Sequence, residues 1–286
     1  MVETVAQSLT SILEQIDERF EVIVVDDGST DGSVSVLQDL EEKYSALRVV
    51  TDAGNENHGE ARRHAIELAE GDYVLSSLDA DDEFTPCITE FVSLYHELEN
   101  VKETDFLLLG YGLYMAPRDL LLNTPYRSLG YGEDRDLYRR LLAKDALLSL
   151  SHHRVRRSLG YRPSKVQKVK IGLETITNQF RSGLHLCPYL RWAFEEMIRK
   201  RNRISSVRGF LHLVVAPVAY LLSLTQERYE APEEFRDIGV YKDALMDVHM
   251  TLSEMEKRFD VQVERDALGP RGCAVFDMDT KRSLID

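Results

Sequence analysis

The sequence predicts an α/β chain, with a doubly wound sheet in its first half and a mostly helical C-terminal region. Two observations carry this. Between residues 21 and 80, β-branched or apolar runs alternate with segments of helical spacing, and two of those runs stop abruptly in carboxylates. Beyond about residue 150 the strand-like runs give way to helical periodicity. Strand, helix, strand, helix, strand in close succession is the pattern of an open α/β sheet, whose ligands bind beyond the carboxyl ends of the strands.

Residues 2–16 carry apolar side chains at Val2, Val5, Leu9, Ile12, Leu13 and Ile16, one face of a helix. Glu21-Val-Ile-Val-Val25 reads as a strand buried on both faces. It runs into Asp26-Asp27-Gly28-Ser29-Thr30-Asp31-Gly32-Ser33, turn and capping chemistry that opens a helix over about 33–44. A strand at 47–51 follows, then Asn55-Glu-Asn57-His58-Gly59-Glu60-Ala61-Arg62-Arg63, which opens a helix to about Ala69. Next comes Gly71-Asp-Tyr-Val-Leu-Ser-Ser-Leu78-Asp79-Ala80-Asp81-Asp82. This is an apolar run that delivers three carboxylates within four residues. Such carboxylates repel one another, and a hard divalent cation is the usual offset. The plainer alternative is a polar loop in which Asp82 or Thr85 caps a helix starting near Pro86.

The pattern further predicts a helix over 85–99, a strand over 105–115, a loop over 117–131 and a helix from Gly132-Glu133-Asp134 onward. Helices follow at 163–180, 186–202 and 205–224, and one amphipathic helix at 239–259. The apolar run 211–222 is short and interrupted, so a buried helix is the first expectation for it. The basic residues Arg199, Lys200, Arg201, Arg203 and Arg208 beside it favour contact with an anionic membrane surface as the second.

Composition bounds the function. The 286 residues, 43% hydrophobic and 29% charged, suffice for one large or two modest cores. Three scattered cysteines argue against a disulfide framework and fit a reducing compartment. Neither a secretory leader nor a convincing transmembrane span is read, which points to the cytoplasm, at the inner face of the membrane if the basic and apolar residues of 199–224 make peripheral contact. A net charge of −14 disfavours nucleic acid as partner. Residues 152–208 nevertheless hold fourteen Lys or Arg against three Glu, so a basic face for an anionic partner is expected. The organisation expected is a sheet domain at 1–150, a basic helical region at 151–225 and an acidic helical tail at 226–286.

Four motifs now stand in order. Val24-Val-Asp26-Asp27-Gly28-Ser29-Thr-Asp31-Gly32 resembles the nucleotide-binding turn of family 2 glycosyltransferases. Asn57-His-Gly59 with Ala61-Arg62 is similar to that family's Asn-x-Gly…Ala-Arg segment. Leu78-Asp79-Ala-Asp81-Asp82 resembles its Asp-x-Asp metal site, and Glu133-Asp134 before a Leu- and Arg-rich helix resembles its later acidic motif. The resemblance covers about half the chain and implies a GT-A fold, the mixed doubly wound sheet of nucleotide-diphospho-sugar transferases. It implies that Asp26 or Asp27, with Gly28 and Ser29, holds the base or ribose, that Asn57, Gly59 and Arg62 shape the nucleotide pocket, and that Asp79 contacts ribose. Asp79 and Asp81 would hold Mg²⁺ or Mn²⁺, which offsets the charge of the departing diphosphate. Asp134, or Glu133, would take the proton of an acceptor hydroxyl. The implied reaction inverts configuration, and a lipid-linked or surface glycan is the expected acceptor.

The sequence departs from that family in places. The family opens with a strand and a Pro-x-Tyr/Phe-Asn turn before its first helix, whereas this chain opens in the helix. A start lacking that strand is the favoured explanation, and another segment filling its slot is the alternative. Arg63 and Ala65 replace the usual Asn and Gly. Arg191-Trp192 resembles part of a processive-synthase motif, but Pro188 stands where that motif has Gln, and the motif is not carried over. Two other functions are weighed. One is a non-catalytic member that binds nucleotide sugar or a partner. The other is a phosphatase of the haloacid-dehalogenase type, since Ala274-Val-Phe-Asp277-Met-Asp279-Thr280 resembles its first motif.

Overall fold

The structure is a computed structural model, and it describes residues 2–51, 53–76, 78–160, 164–198, 203–278 and 280–281, with the side chains of 203–205, 266 and 267 left aside. Its elements in order are α1 (Val2–Leu13), β1 (Val22–Asp26), α2 (Ser33–Lys43), β2 (Leu47–Thr51), α3 (His58–Leu68), β3 (Tyr73–Ser76), β4 (Asp82–Phe84) and α4 (Ile88–Glu99). Then come β5 (Leu107–Leu109), β6 (Tyr114–Pro117), α5 (Arg118–Asn123), α6 (Glu133–Leu142), β7 (Leu147–Leu150) and β8 (Arg156–Ser158). The C-terminal part is helical, with α7 (Lys165–Arg181), α8 (Leu186–Ile198), α9 (Arg203–Ser223), α10 (Ile238–Asp247), α11 (Leu252–Phe259) and α12 (Arg265–Phe276), interrupted by β9 (His249–Met250).

The main sheet has the order β3-β6-β5-β7-β9, with β3 and β5 antiparallel to β6, and β5, β7 and β9 parallel. It is buried on both faces, because successive residues point to opposite sides of a strand. Leu108, Met115, Leu148 and Leu150 pack with Phe91, Leu94, Tyr95 and Leu98 of α4 and with Leu268 and Phe276 of α12. Leu107, Leu109, Tyr114, Ala116 and Leu147 pack on the other face with Leu137 and Leu141 of α6 and Tyr241 and Leu245 of α10. Strands β1 and β2 form a separate parallel pair, clamped by Val5, Leu9 and Leu13 of α1 and Leu37 and Leu40 of α2. Among the described residues this pair is not hydrogen-bonded to the main sheet. Glu21 links the two instead, its Oε1 accepting from the amides of Glu70 (2.5 Å) and Gly71 (3.0 Å) at the turn into β3. Strands β4 and β8 make a third, antiparallel ribbon.

The structure departs from the expected elements in four places. The strand expected over 105–115 is two antiparallel strands, turned at Gly110-Tyr-Gly112, where Gly112 has φ +95°. The loop expected over 117–131 contains α5. The helix expected over 239–259 is two helices, separated by β9 at the sheet edge and restarted by a capping box of Thr251 and Glu254. The apolar helix α9 is not a core helix, since only 22% of the window Ser206–Ser223 is buried. Its Ala216 and Ala219 pack with Phe180, Tyr189 and Trp192, flanked by Leu213, Val215 and Tyr220, while Val207, Phe210, Leu211, Val214, Val218 and Leu221 are exposed.

Candidate functional site

Arg62 holds the centre of the site. It sits on α3, which Asn57 caps by accepting the Glu60 amide (3.2 Å). Its guanidinium lies 3.1 Å from Glu133 and 3.7 Å from Asp79, with its carbon 5.8 Å from the centre of the Tyr126 ring. One side chain therefore joins the end of the β3 segment to the first turn of α6. Glu133 is buried, at 5% exposure, and that burial pushes its carboxyl up to about 7 in spite of the opposing pull of Arg62. Asp134 is partly exposed, and its Oδ1 accepts from the Arg135 amide (2.7 Å).

Asp79 has a second cationic neighbour that sequence reasoning missed. Arg156 of β8 places Nη1 2.6 Å from a carboxylate oxygen of Asp79 and 2.6 Å from one of Asp82. The repulsion between these carboxylates is thus offset from within the chain. Asp82 is buried, and desolvation raises its pKa against the opposing effect of Arg156. The backbone accommodates the arginine at Gly112, where a Cβ would lie 2.6 Å from its Cδ. Beside it opens a cleft of about 280 Å³ lined by Asp82, Tyr111, Arg154, Arg156 and Ser158. The available signal was the alternation Arg154-Val155-Arg156, in which Val155 is buried and its neighbours are not.

The other expected residues are placed as follows. Asp26 closes its own turn, Oδ1 accepting from the amides of Gly28 (3.0 Å) and Ser29 (2.7 Å). Asp27 Oδ1 accepts from the backbone and side-chain amides of Asn55, at 3.1 and 2.9 Å. Neither aspartate makes an ion pair or hydrogen bond to the Arg62 group among the described residues. Asn57 Nδ2 donates to Ser128 (2.8 Å), and the Gly59 amide donates to the Leu129 carbonyl (2.9 Å), so both dock α3 onto the loop before α6. His152 is locally bonded, its Nε2 accepting from the Tyr111 amide (2.6 Å).

Among the described residues, no three His, Cys, Asp or Glu side chains converge as a metal cage. Mg²⁺ and Mn²⁺ do not require one, since one or two carboxylates with substrate phosphates suffice. Asp79 and Asp81 fit that oxygen donor set, and the Asp81 carboxylate has no ion-pair partner among the described residues. The phosphatase-like motif does not fit its expected chemistry. Residues up to Phe276 form the helix α12 rather than a strand, Asp277 pairs with Arg265 (3.0 Å), and Asp279 lies outside the described residues.

Residues 2–101 match the profile of Glycosyl transferase family 2. The chain is 39% identical over 84 residues to succinoglycan biosynthesis protein ExoU of Rhizobium meliloti (strain 1021), covering 29% of this chain and 24% of that protein. It is 31% identical over 134 residues to the amylovoran biosynthesis glycosyltransferase AmsB of Erwinia amylovora, covering 46% and 44% of the two chains. It spans 24% to 50% of the length of the first curated relatives it matches. Among solved structures, mannosyltransferase PcManGT from Pyrobaculum calidifontis, in complex with GDP-Man and Mn²⁺, aligns with a TM-score of 0.49 and 16% identity, over 92% of this chain and 85% of that one. Over residues 2–101, about a third of its length, this chain is similar to the family 2 glycosyltransferases. The mixed sheet and the helical C-terminal region agree with the α/β class that the sequence predicts.

Proposed function

We propose that this chain transfers a sugar from a nucleotide-diphosphate sugar to an acceptor hydroxyl, with inversion and with Mg²⁺ or Mn²⁺ bound. The observation that carries this reading is the Arg62 bridge. It joins Asp79 of the donor-side motif to Glu133 of the acceptor-side motif, 54 residues apart in sequence. Asp26, Asp27, Gly28 and Ser29 would receive the nucleoside, with Asn57 and Gly59 holding α3 so that Arg62 borders the donor. Asp79 and Asp81 would hold the cation, which when bound offsets the charge of the leaving diphosphate. Asp134 is partly exposed and is our assignment for the base, accepting the proton as the hydroxyl attacks the anomeric carbon. Glu133, buried against Arg62, would orient that arginine. The same carboxyl near neutrality is the alternative base, and a pH–rate profile separates the two. Asp134→Asn abolishes turnover if Asp134 is the base, whereas Glu133→Gln removes a limb near pH 7 if Glu133 is.

For the acceptor we infer a lipid-linked or surface glycan, met at the cytoplasmic face of a membrane that 199–224 touches peripherally. The support is the exposed apolar side of α9 and the basic sequence before it. A second reading, binding of nucleotide sugar without turnover, is favoured by the separation of β1 and β2 from the main sheet.

The first experiment is a thermal shift with UDP, GDP and their sugars, each with and without Mn²⁺. A ligand that binds only the folded state raises the melting temperature. A Mn²⁺-dependent shift with one diphosphate, lost in Asp81→Ala, is the expected result, and sugar release or transfer then distinguishes enzyme from binder. No shift with any nucleotide would overturn the donor site.

A further inference from the structure

Strand β8 borders a cleft. Successive side chains of an extended segment point to opposite sides. Val155 is therefore turned into the core and Arg157 pairs with Glu83, while Arg154, Arg156 and Ser158 line a cleft of about 280 Å³ with Tyr111 and Asp82. The tip of the β5–β6 turn forms the other wall. The Tyr111 amide donates to buried His152 (2.6 Å), which fixes that turn, and the Arg154 guanidinium carbon lies 5.9 Å from the centre of the Tyr111 ring. Gly112 makes room for Arg156, since a Cβ there would lie 2.6 Å from both its Cδ and its Nε.

Asp79 joins this cleft to the Arg62 group. It offers Oδ1 to Arg62 (3.7 Å) and Oδ2 to Arg156 (2.6 Å), and Arg62 in turn reaches Glu133 (3.1 Å). Arg156 spends only Nη1, on Asp79 and Asp82. Its Nε and Nη2, and the whole Arg154 guanidinium, make no hydrogen bond or ion pair among the described residues. The cleft thus holds unspent donors of two guanidinium forks, one contact away from the donor-side aspartate.

Charge and size define what fits. The lining sets two guanidinium groups against the single carboxylate of Asp82, which leaves one positive charge over. A monoanion meets that surplus, whereas a dianionic phosphate would exceed it and face Asp82 and Asp79 as well. A carboxylate also presents two oxygens in one plane, the geometry that a guanidinium fork matches. The volume is just under the range usual for small-molecule sites, enough for part of one sugar residue and too little for a chain. We propose that Arg154 and Arg156, with Ser158, receive the carboxylate of a uronic acid, carried by the sugar that is transferred. That this sugar arrives on a nucleotide rests on the transferase reading, whereas the carboxylate site does not.

The test has two arms. In the first, the Arg154 Nε–Hε resonance of the isotope-labelled full chain is followed by NMR during titration with glucuronate, galacturonate, glucose and inorganic phosphate, and is identified by its absence in Arg154→Gln. One uronate is expected to shift it and glucose is not. No response to either uronate, an equal response to glucose, or a response to phosphate alone overturns the subsite. In the second arm, calorimetry with Mg²⁺ compares UDP-glucuronate, UDP-galacturonate and GDP-mannuronate with UDP-glucose, UDP-galactose and GDP-mannose. One uronate donor should bind at least about tenfold more tightly than its neutral counterpart. Arg154→Gln should abolish that preference while UDP and GDP bind as to wild type, and since Arg154 is exposed the melting temperature should not change. Equal binding of every uronate and its neutral counterpart, or a preference that survives Arg154→Gln, overturns the assignment to the transferred sugar. Failure of every nucleotide to bind counts against the donor reading, and the first arm then decides the carboxylate site alone.

Discussion

Arg156 stands between two carboxylates that would otherwise confront each other. Replacing it with alanine leaves Asp79 and the buried Asp82 uncompensated. The expected loss is about 2 kcal/mol of stability, less than for a fully buried pair because Arg156 and Asp79 retain contact with water. Mn²⁺ should restore part of that loss by supplying the missing positive charge. Urea denaturation with and without the ion checks both statements, and unchanged stability would dismiss the clamp. Glu133 gives a prediction of opposite character. Its folded pKa, about 7, is raised above the ordinary 4.5, so the fold favours its protonated form. The stability this confers is fully present below about pH 4.5 and is lost as pH rises through 7. Glu133→Gln should resemble wild type at pH 5 and gain on it by pH 8, by on the order of 3 kcal/mol. A constant difference between the two proteins across that range would refute it. At this scale the motif residues Arg62, Asp79 and Glu133 were legible, because charge at a strand end or a helix start is written locally. Arg156 was not, since it lies 77 residues from Asp79 and only strand pairing between β4 and β8 brings it there.

At the scale of elements, the site depends on how α3 is seated. A Cβ on Gly59 would lie 2.1 Å from the Arg127 carbonyl oxygen and 2.9 Å from that of Leu129. Both obstacles are backbone, so the loop before α6 must move. Gly59→Ala should therefore cost about 2 kcal/mol or more, and it should weaken nucleotide binding by shifting Arg62 away from Asp79 and Glu133. Asn57→Ala, which removes a helix cap and the bond to Ser128, should cost about 1 kcal/mol. Chemical denaturation and the nucleotide thermal shift measure the two effects, and a Gly59→Ala protein of wild-type stability would contradict the seating. The sequence reading put Asn57 and Gly59 in a nucleotide pocket, where their contacts with Ser128 and Leu129 could not be foreseen. The β5–β6 turn was missed for a related reason. Both strands are buried on both faces, so 106–109 and 113–116 are apolar without the alternation of a half-buried strand, and Gly110-Tyr-Gly112 between them was the one turn signal. Strand β9, at two residues, carries no periodicity at all and exists through its pairing with β7.

For the whole molecule, the decisive feature is where the charge and the apolar surface fall. Part of the positive charge counted in residues 152–208 is internal, as Arg156, Arg157 and Arg191 pair with Asp79 and Asp82, Glu83, and Asp237. Other cations of the segment, Lys165, Lys168 and Lys170, are exposed on α7 beside Val166 and Val169, which are also exposed. On α9 the exposed residues Val207, Phe210, Leu211, Val214, Val218 and Leu221 recur at helical spacing along one side. The opposite side closes on α8 so tightly that a Cβ on Gly209 would lie 2.5 Å from the Met197 amide nitrogen. A helix fixed to the protein along one side and presenting a row of apolar side chains on the other suits the plane of a lipid interface. Basic residues nearby add about 1 kcal/mol each toward an anionic surface, an attraction that salt screens. The full chain should therefore co-float with vesicles containing phosphatidylglycerol and only weakly with phosphatidylcholine vesicles, with the difference shrinking at high salt. The double substitution Val214→Asp and Leu221→Asp, both at exposed positions, should reduce binding at least tenfold without changing the melting temperature or the nucleotide-induced shift. If the wild-type chain stays in solution with both vesicles and elutes as a dimer that the double substitution converts to a monomer, the apolar side of α9 joins two copies and the bilayer assignment fails.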